Sequence, residues 1–334
     1  YVAHLALSGL RELVCHAAAA APSPNGDTPS TAEGSLGAAL VRHFQLPLLA
    51  QLLLDGQRPL LSSHALALLV AAVPVLPMGT LAELVPLLAD EATRALARDG
   101  GAALGAARNA LAGLLPPLIS RGLPLRKLLR RWVHLVLAAP QHERPALLAA
   151  VLADDSAAET YLHTLVAMLL RLHVCRRVTA EQQAAADTSK GELPLPRSDE
   201  LVRLAHTACA GAQPHVQLLT ISLVVAATPI LLPEGATAAS APAPDSSSLV
   251  ARRLSIASLS YAAEHLQRSL KSGREAWSDE THGSPLLSAA RQLFAALVAA
   301  YEEAGKRASD AETSDVESWG EVRGAARAAM EALN

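Results

Sequence analysis

At 334 residues, with 51% hydrophobic but only 3% aromatic residues, the chain can bury a sizeable core built mostly of Ala, Leu and Val. That palette favours helices and is poor in strand formers. A net charge of −3 excludes an overall electrostatic pull toward nucleic acid, so any basic surface must be local. Three cysteines, Cys15, Cys175 and Cys209, are widely spaced and odd in number. They exclude a disulfide framework and point to a reducing compartment, cytosol or nucleus.

The chain opens at Tyr1 instead of Met and closes inside a helical pattern, "GEVRGAARAAMEALN", so it reads as part of something longer. Apolar residues at steps of three and four predict a helix over 2–20. A polar stretch at 21–35, "APSPNGDTPSTAEGS", reads as an insert, and helices follow over 36–55 and 60–73. Residues 65–82, "ALALLVAAVPVLPMGTLA", carry no charge and reach the length of a minimal membrane span, roughly 18 residues. Pro74, Pro77 and Gly79 interrupt them, so the run is read as two buried helices joined by a turn, with no membrane contact. Helices are predicted next over 80–98, 102–119 and 125–137. In the last, "LRKLLRRWVHLVL", Leu125, Leu128, Leu129, Trp132, Val133 and Val136 share one face, leaving Arg126, Lys127, Arg130 and Arg131 outside.

Beyond it, Gln141-His142-Glu143-Arg144 sits between Pro140 and Pro145 and is read as the solvated elbow of a helical hairpin. Glu143 should face the positive end of the following helix, and Pro145 suits its first turn. Helices over 146–153 and 157–177 precede a second insert at 179–198; those over 198–210 and 215–228 precede a third at 234–248. A helix over 247–271, a weaker insert at 271–284, and helices over 285–305 and 316–333 complete the chain.

Three segments, at 68–90, 135–155 and 223–235, repeat one design in which an apolar helix runs into a proline-ended elbow. Short elbows make consecutive helices antiparallel, and stacking such hairpins buries faces that one pair cannot bury alone. The expected fold is all-α: a single α-solenoid over 1–334 of degenerate HEAT-type hairpins, units of about 40–47 residues, with disordered inserts.

Enzyme motifs are missing. No phosphate-binding Gly-rich loop, G-x-S-x-G elbow, H-E-x-x-H or Cys-x-x-Cys pairing occurs, although there are twelve histidines. His163 and His173 lie three turns apart on one helix and cannot chelate together; Cys15 and His16 point to different faces. The reading is therefore no enzyme, no metal, no cofactor and no small-molecule substrate. The basic run is the one charged feature that invites a partner. Arg126, Lys127, Arg130 and Arg131, with Arg121 upstream, place like charges four residues apart. Such pairs repel mildly and suit an acidic or phosphate partner, without base readout, because no interleaved aromatics accompany them. In "ARRLSIAS", Ser255 stands behind two arginines as a basophilic kinase would need, against the plainer reading of a helix-face serine.

The stretch 124–170 is more than a generic hairpin. Through Ala139-Pro140, Gln141-His142-Glu143-Arg144, Pro145-Ala146-Leu147-Leu148 and the Leu-rich partner from Tyr161-Leu162 to Leu169-Leu170, it resembles the large HEAT-repeat U3 small nucleolar RNA-associated protein family of the small-subunit processome. Residues 201–225, "LVRLAHTACAGAQPHVQLLTISLVV", sit where that family resumes helices after a polar insert. The resemblance implies a nucleolar scaffold without an active site, acting in pre-rRNA transcription and small-subunit rRNA processing. Its partners would be protein subunits of a large ribonucleoprotein and the backbone of pre-rRNA or U3 snoRNA. The alternative is a HEAT-repeat adaptor in nuclear transport, trafficking or signalling complexes.

Overall fold

Ala- and Leu-rich runs become helices in the computed structural model, which describes residues 2–20, 45–55, 57–99, 101–152, 155–186, 199–228, 244–272, 283–310 and 313–333. Every regular element among them is an α-helix: α1 (Val2–Ala20), α2 (Leu46–Leu53), α3 (Pro59–Ala72), α4 (Met78–Asp99), α5 (Gly101–Ser120), α6 (Leu125–Ala138), α7 (Arg144–Val151), α8 (Asp155–Ala186), α9 (Asp199–Ala210), α10 (Pro214–Ala226), α11 (Pro244–Ser272), α12 (Gly283–Asp310) and α13 (Thr313–Leu333). Proline recurs as the starting device. Pro47, Pro59, Pro145 and Pro214 each occupy the first or second helical position, where the missing N–H costs nothing.

The chain divides into two compact units, Tyr1–Ala153 and Asp154–Asn334. In the first, α1, α3, α5 and α7 pack in succession as one layer, and α2, α4 and α6 as the other. The pairs α2–α3, α4–α5 and α6–α7 join the layers. In the second, α8, α10 and α12 form one layer and α9, α11 and α13 the other, joined by α8–α9, α10–α11 and α12–α13. Packing between every second helix is what stacked hairpins produce, so each unit is an all-α helical-repeat array.

Local chemistry sets the corners. The uncharged run at 65–82 is the end of α3, a turn and the start of α4, and no described helix is long and apolar enough to cross a membrane. After α5, Gly122 takes φ 87°. Its N–H donates to Ile119 O (2.8 Å), and the N–H of Leu123 donates to Leu118 O (3.2 Å). This is a Schellman stop, with Leu118 and Leu123 both buried. Gly122→Ala forces a Cβ into the left-handed region and is expected to lower stability by about 1–2 kcal/mol, read by chemical denaturation.

Two insert boundaries shift. The expected insert at 179–198 is helical as far as Ala186, because "TAEQQAAA" consists mainly of strong helix formers. The stretch expected from 234 yields to helix at Pro244, since proline tolerates a first turn. Likewise Lys271 and Ser272 close α11, while Gly283 and Ser284 open α12. The insert at 21–35, and residues 36–44 of the helix expected over 36–55, lie outside the described residues.

Candidate functional site

On α6 the amphipathic pattern delivers the expected charge stripe. Leu128, Leu129, Trp132, Val133 and Val136 are buried. Arg126, Lys127, Arg130 and Arg131 are all exposed, and none of the four is in an ion pair among the described residues. Arg121 does not simply extend the stripe: its Nη2–H donates to Leu76 O (3.1 Å), tying the end of α5 to the elbow between α3 and α4.

The elbow at 140–145 is only partly solvated. His142 is 80% exposed, 3.4 Å from the Glu143 carboxylate, which is itself only 18% exposed. Glu143 occupies the N-cap position of α7 without a side-chain capping bond. Arg144 folds back: Nε–H donates to Ala139 O (2.9 Å) and Nη2–H to Leu137 O (3.0 Å). A guanidinium thus satisfies two carbonyls at the negative end of α6. Ser255 stands on the inner side of α11, 1% exposed, its hydroxyl donating to Ala251 O (3.1 Å). Helical spacing that aligns it with Ser258, Leu259 and Ala262 turns it inward, so the folded chain does not present it to a kinase.

Unit 2 holds a polar cluster that no motif announces. Its starting point is α10, whose buried residues lie on nearly all sides and include Gln217 among Val216, Leu218, Ile221 and Val225. The Gln217 amide is fixed by its Nε2–H donating to Ala212 O (2.8 Å), so its Oε1 must accept. It does so from Ser269 Oγ–H (3.1 Å) and from His265 Nε2–H (3.0 Å) on α11. The proton on Nε2 leaves His265 Nδ1 bare, and this accepts Nδ1–H of His206 from α9 (3.2 Å). His206 Nε2 is then left with a lone pair, buried and without a hydrogen-bond partner, 3.5 Å from Glu264 Oε2. One backbone carbonyl therefore sets the tautomer of two histidines in series.

Packing reinforces the chain of bonds. His206 stacks on Tyr261 with centroids 4.5 Å apart, and Tyr261 Oη–H donates to Ala205 O (3.2 Å). His206 and His265 are 5% and 2% exposed. Burial, with the Arg268 guanidinium as a secondary cause for His206, lowers that imidazole to about 4. Burial, then His206 and Arg268, lowers His265 to about 4 as well. Both are neutral near pH 7. Burial also pushes the Cys209 thiol up to about 12, which makes it inert.

His206 is among the residues that line a groove of about 610 Å³ bounded by α8, α9 and α11. Four arginines (177, 203, 253 and 268) and three carboxylates (Glu181, Asp199 and Glu264) line it. In unit 1 a cavity of about 30 Å³ beside Trp132 has room for little more than one water. No group of three His, Cys, Asp or Glu side chains that could hold a metal occurs among the described residues.

Comparison with protein-family models and with curated proteins finds no match. A solved structure described as "Computational Design of Self-Assembling Cyclic Protein Homooligomers" is similar at 12% identity, covering 99% of this chain and 97% of that one, with a TM-score of 0.22. A score that low carries no argument about arrangement or function.

Proposed function

We propose that the chain is a non-catalytic helical-repeat scaffold of a nucleolar ribonucleoprotein, working in pre-rRNA transcription and small-subunit rRNA processing. The observation that carries the scaffold reading is the exposed stripe Arg126, Lys127, Arg130 and Arg131, which has no ion-pair partner among the described residues. Four cations on one helix face suit a phosphate backbone, and Trp132, which lies within the stripe, is buried and offers no ring for base stacking. The nucleolar placement is supported by the resemblance of 124–170 to the processome family, a segment that contains this same helix.

The tagged chain is expected to co-sediment with U3-containing particles, and its depletion to reduce small-subunit precursors. Free sedimentation with normal precursors would overturn this placement. In vitro, affinity for single-stranded RNA should fall with salt with a log–log slope of about −3, the value for four phosphates. Replacing all four residues by Glu should abolish that binding.

The mixed-charge groove of unit 2 favours a second reading, an adaptor in transport, trafficking or signalling that holds a peptide. Such a chain would be retained by protein cargo and would sediment apart from RNA.

A further inference from the structure

We infer that His134, at the C-terminal end of the α6 stripe, stacks on one unpaired nucleobase of an RNA strand whose phosphates the four cations hold. The inference rests on the RNA reading of the stripe. It names the class of RNA, a single strand gripped by a base as well as by its backbone.

Three observations carry it. The first is position. His134 follows Arg130 by four residues and Arg131 by three, so the rows Arg126–Arg130 and Lys127–Arg131 both run into its ring. Neighbours at these spacings have Cβ atoms about 5–6 Å apart, which lets the two guanidinium groups hold phosphates beside a nucleotide seated on the imidazole.

The second is availability. His134 is exposed, and among the described residues its ring makes no hydrogen bond, ion pair or ring contact. With Trp132 buried, the imidazole is the aromatic face that α6 offers to solvent. Every base has a π-face, so stacking here needs no particular sequence, and histidine is among the rings that serve for it.

The third is the lack of opposing charge. Helix α6, "LRKLLRRWVHLVLA", contains no carboxylate. Where α4 meets it, Val85, Leu88 and Ala89 border the small cavity beside Arg131, again without a carboxylate. Glu83 and Asp90 of α4 are exposed, but helical spacing puts them on the side away from those three residues. The next acid along the chain, Glu143, is only 18% exposed and faces His142. The groove of unit 2, by contrast, sets three carboxylates among its arginines and offers phosphates no continuous cationic surface.

The test follows binding of the full chain by fluorescence anisotropy to a labelled oligoadenylate dodecamer, an abasic strand of the same length and the matching RNA duplex. His134→Ala is an exposed change to a good helix former and should leave the melting curve in place. It should weaken oligoadenylate about fivefold or more, the contribution of one stacked base, while the log–log salt slope stays near about −3. The abasic strand and the duplex should not distinguish this variant from wild type, because neither offers the ring a free base. His134→Phe, a ring without a charge, should restore the preference for oligoadenylate over the abasic strand. His134→Lys, a charge without a ring, should steepen the slope by about 0.7 and leave that preference lost.

Equal affinity of wild type and His134→Ala for oligoadenylate would overturn the inference. If the four-glutamate stripe variant still failed to bind, the phosphate contact would stand without it. Equal losses on oligoadenylate and on the abasic strand would overturn it too, by making His134 a backbone contact. A wild type that binds none of the three nucleic acids at low salt would remove the RNA reading of the stripe and the inference together. Poly-glutamate bound more tightly than oligoadenylate would do the same, in favour of an acidic protein partner.

Discussion

Acidification from about pH 7 to about pH 4 is expected to cost the unit Asp154–Asn334 about 3 kcal/mol or more, through His206 and His265. Both imidazoles are held near 4 in the folded chain, mainly by burial, against 6.5 for a free histidine. The unfolded chain therefore takes up protons below about 6.5 that the folded chain refuses until about 4. Stability contributed by the neutral pair is complete above pH 6.5, declines between 6.5 and 4, and levels off below. Each pKa unit is worth about 1.4 kcal/mol, so a single histidine accounts for about 3 kcal/mol. The second adds less than the same again, because the rings share one hydrogen bond and titrate as a pair. Urea denaturation followed by Trp319 fluorescence across this range measures the slope. The double variant His206→Phe with His265→Leu should flatten it. A wild-type slope as shallow as the variant's would show that the pair does not titrate as its burial implies.

The contrast between this pair and the α6 stripe shows what a sequence can disclose. Helix positions followed from apolar spacing, since Leu, Ala and Val on one face bury wherever the helix packs. The stripe followed too, because its four charges lie within six residues, 126–131, of one helix. His206, Gln217 and His265 belong to three helices and are brought together only by packing. Each alone resembles an ordinary amphipathic-helix residue. A signal existed all the same. In "SLSYAAEHLQRS", His265 stands four residues after Tyr261, where the inward face calls for an apolar side chain. In "HVQLLTISLVV", Gln217 interrupts a run that is otherwise apolar on nearly every side. Polar residues set on two buried faces must find partners, and the cheapest partners are each other. Helix ends were less legible at 179–186, where Ala, Glu and Gln read equally as polar insert or as helix.

Arg144→Met is expected to destabilise the unit Tyr1–Ala153 by about 2–3 kcal/mol, whereas His142→Ala should cost less than about 0.5 kcal/mol. The two residues are neighbours in the same elbow, so the difference tests what the elbow does. Arg144 donates to Ala139 O and Leu137 O, two carbonyls that α6 cannot satisfy at its own end. Charge-assisted bonds of this kind contribute more than neutral ones, and the guanidinium also lies at the negative end of the helix dipole. Methionine keeps the length and apolar stem but donates nothing, leaving both carbonyls to water or to strain. His142 is 80% exposed and lies 3.4 Å from the Glu143 carboxylate. A chemical role for the cluster would reverse the order, making His142 the sensitive position under an activity readout and leaving the fold indifferent to Arg144. Paired denaturation curves decide between these outcomes. If Arg144→Met matched wild type, the return of the guanidinium to α6 would not be what fixes the bend, and Pro140 and Pro145 would have to fix it by themselves.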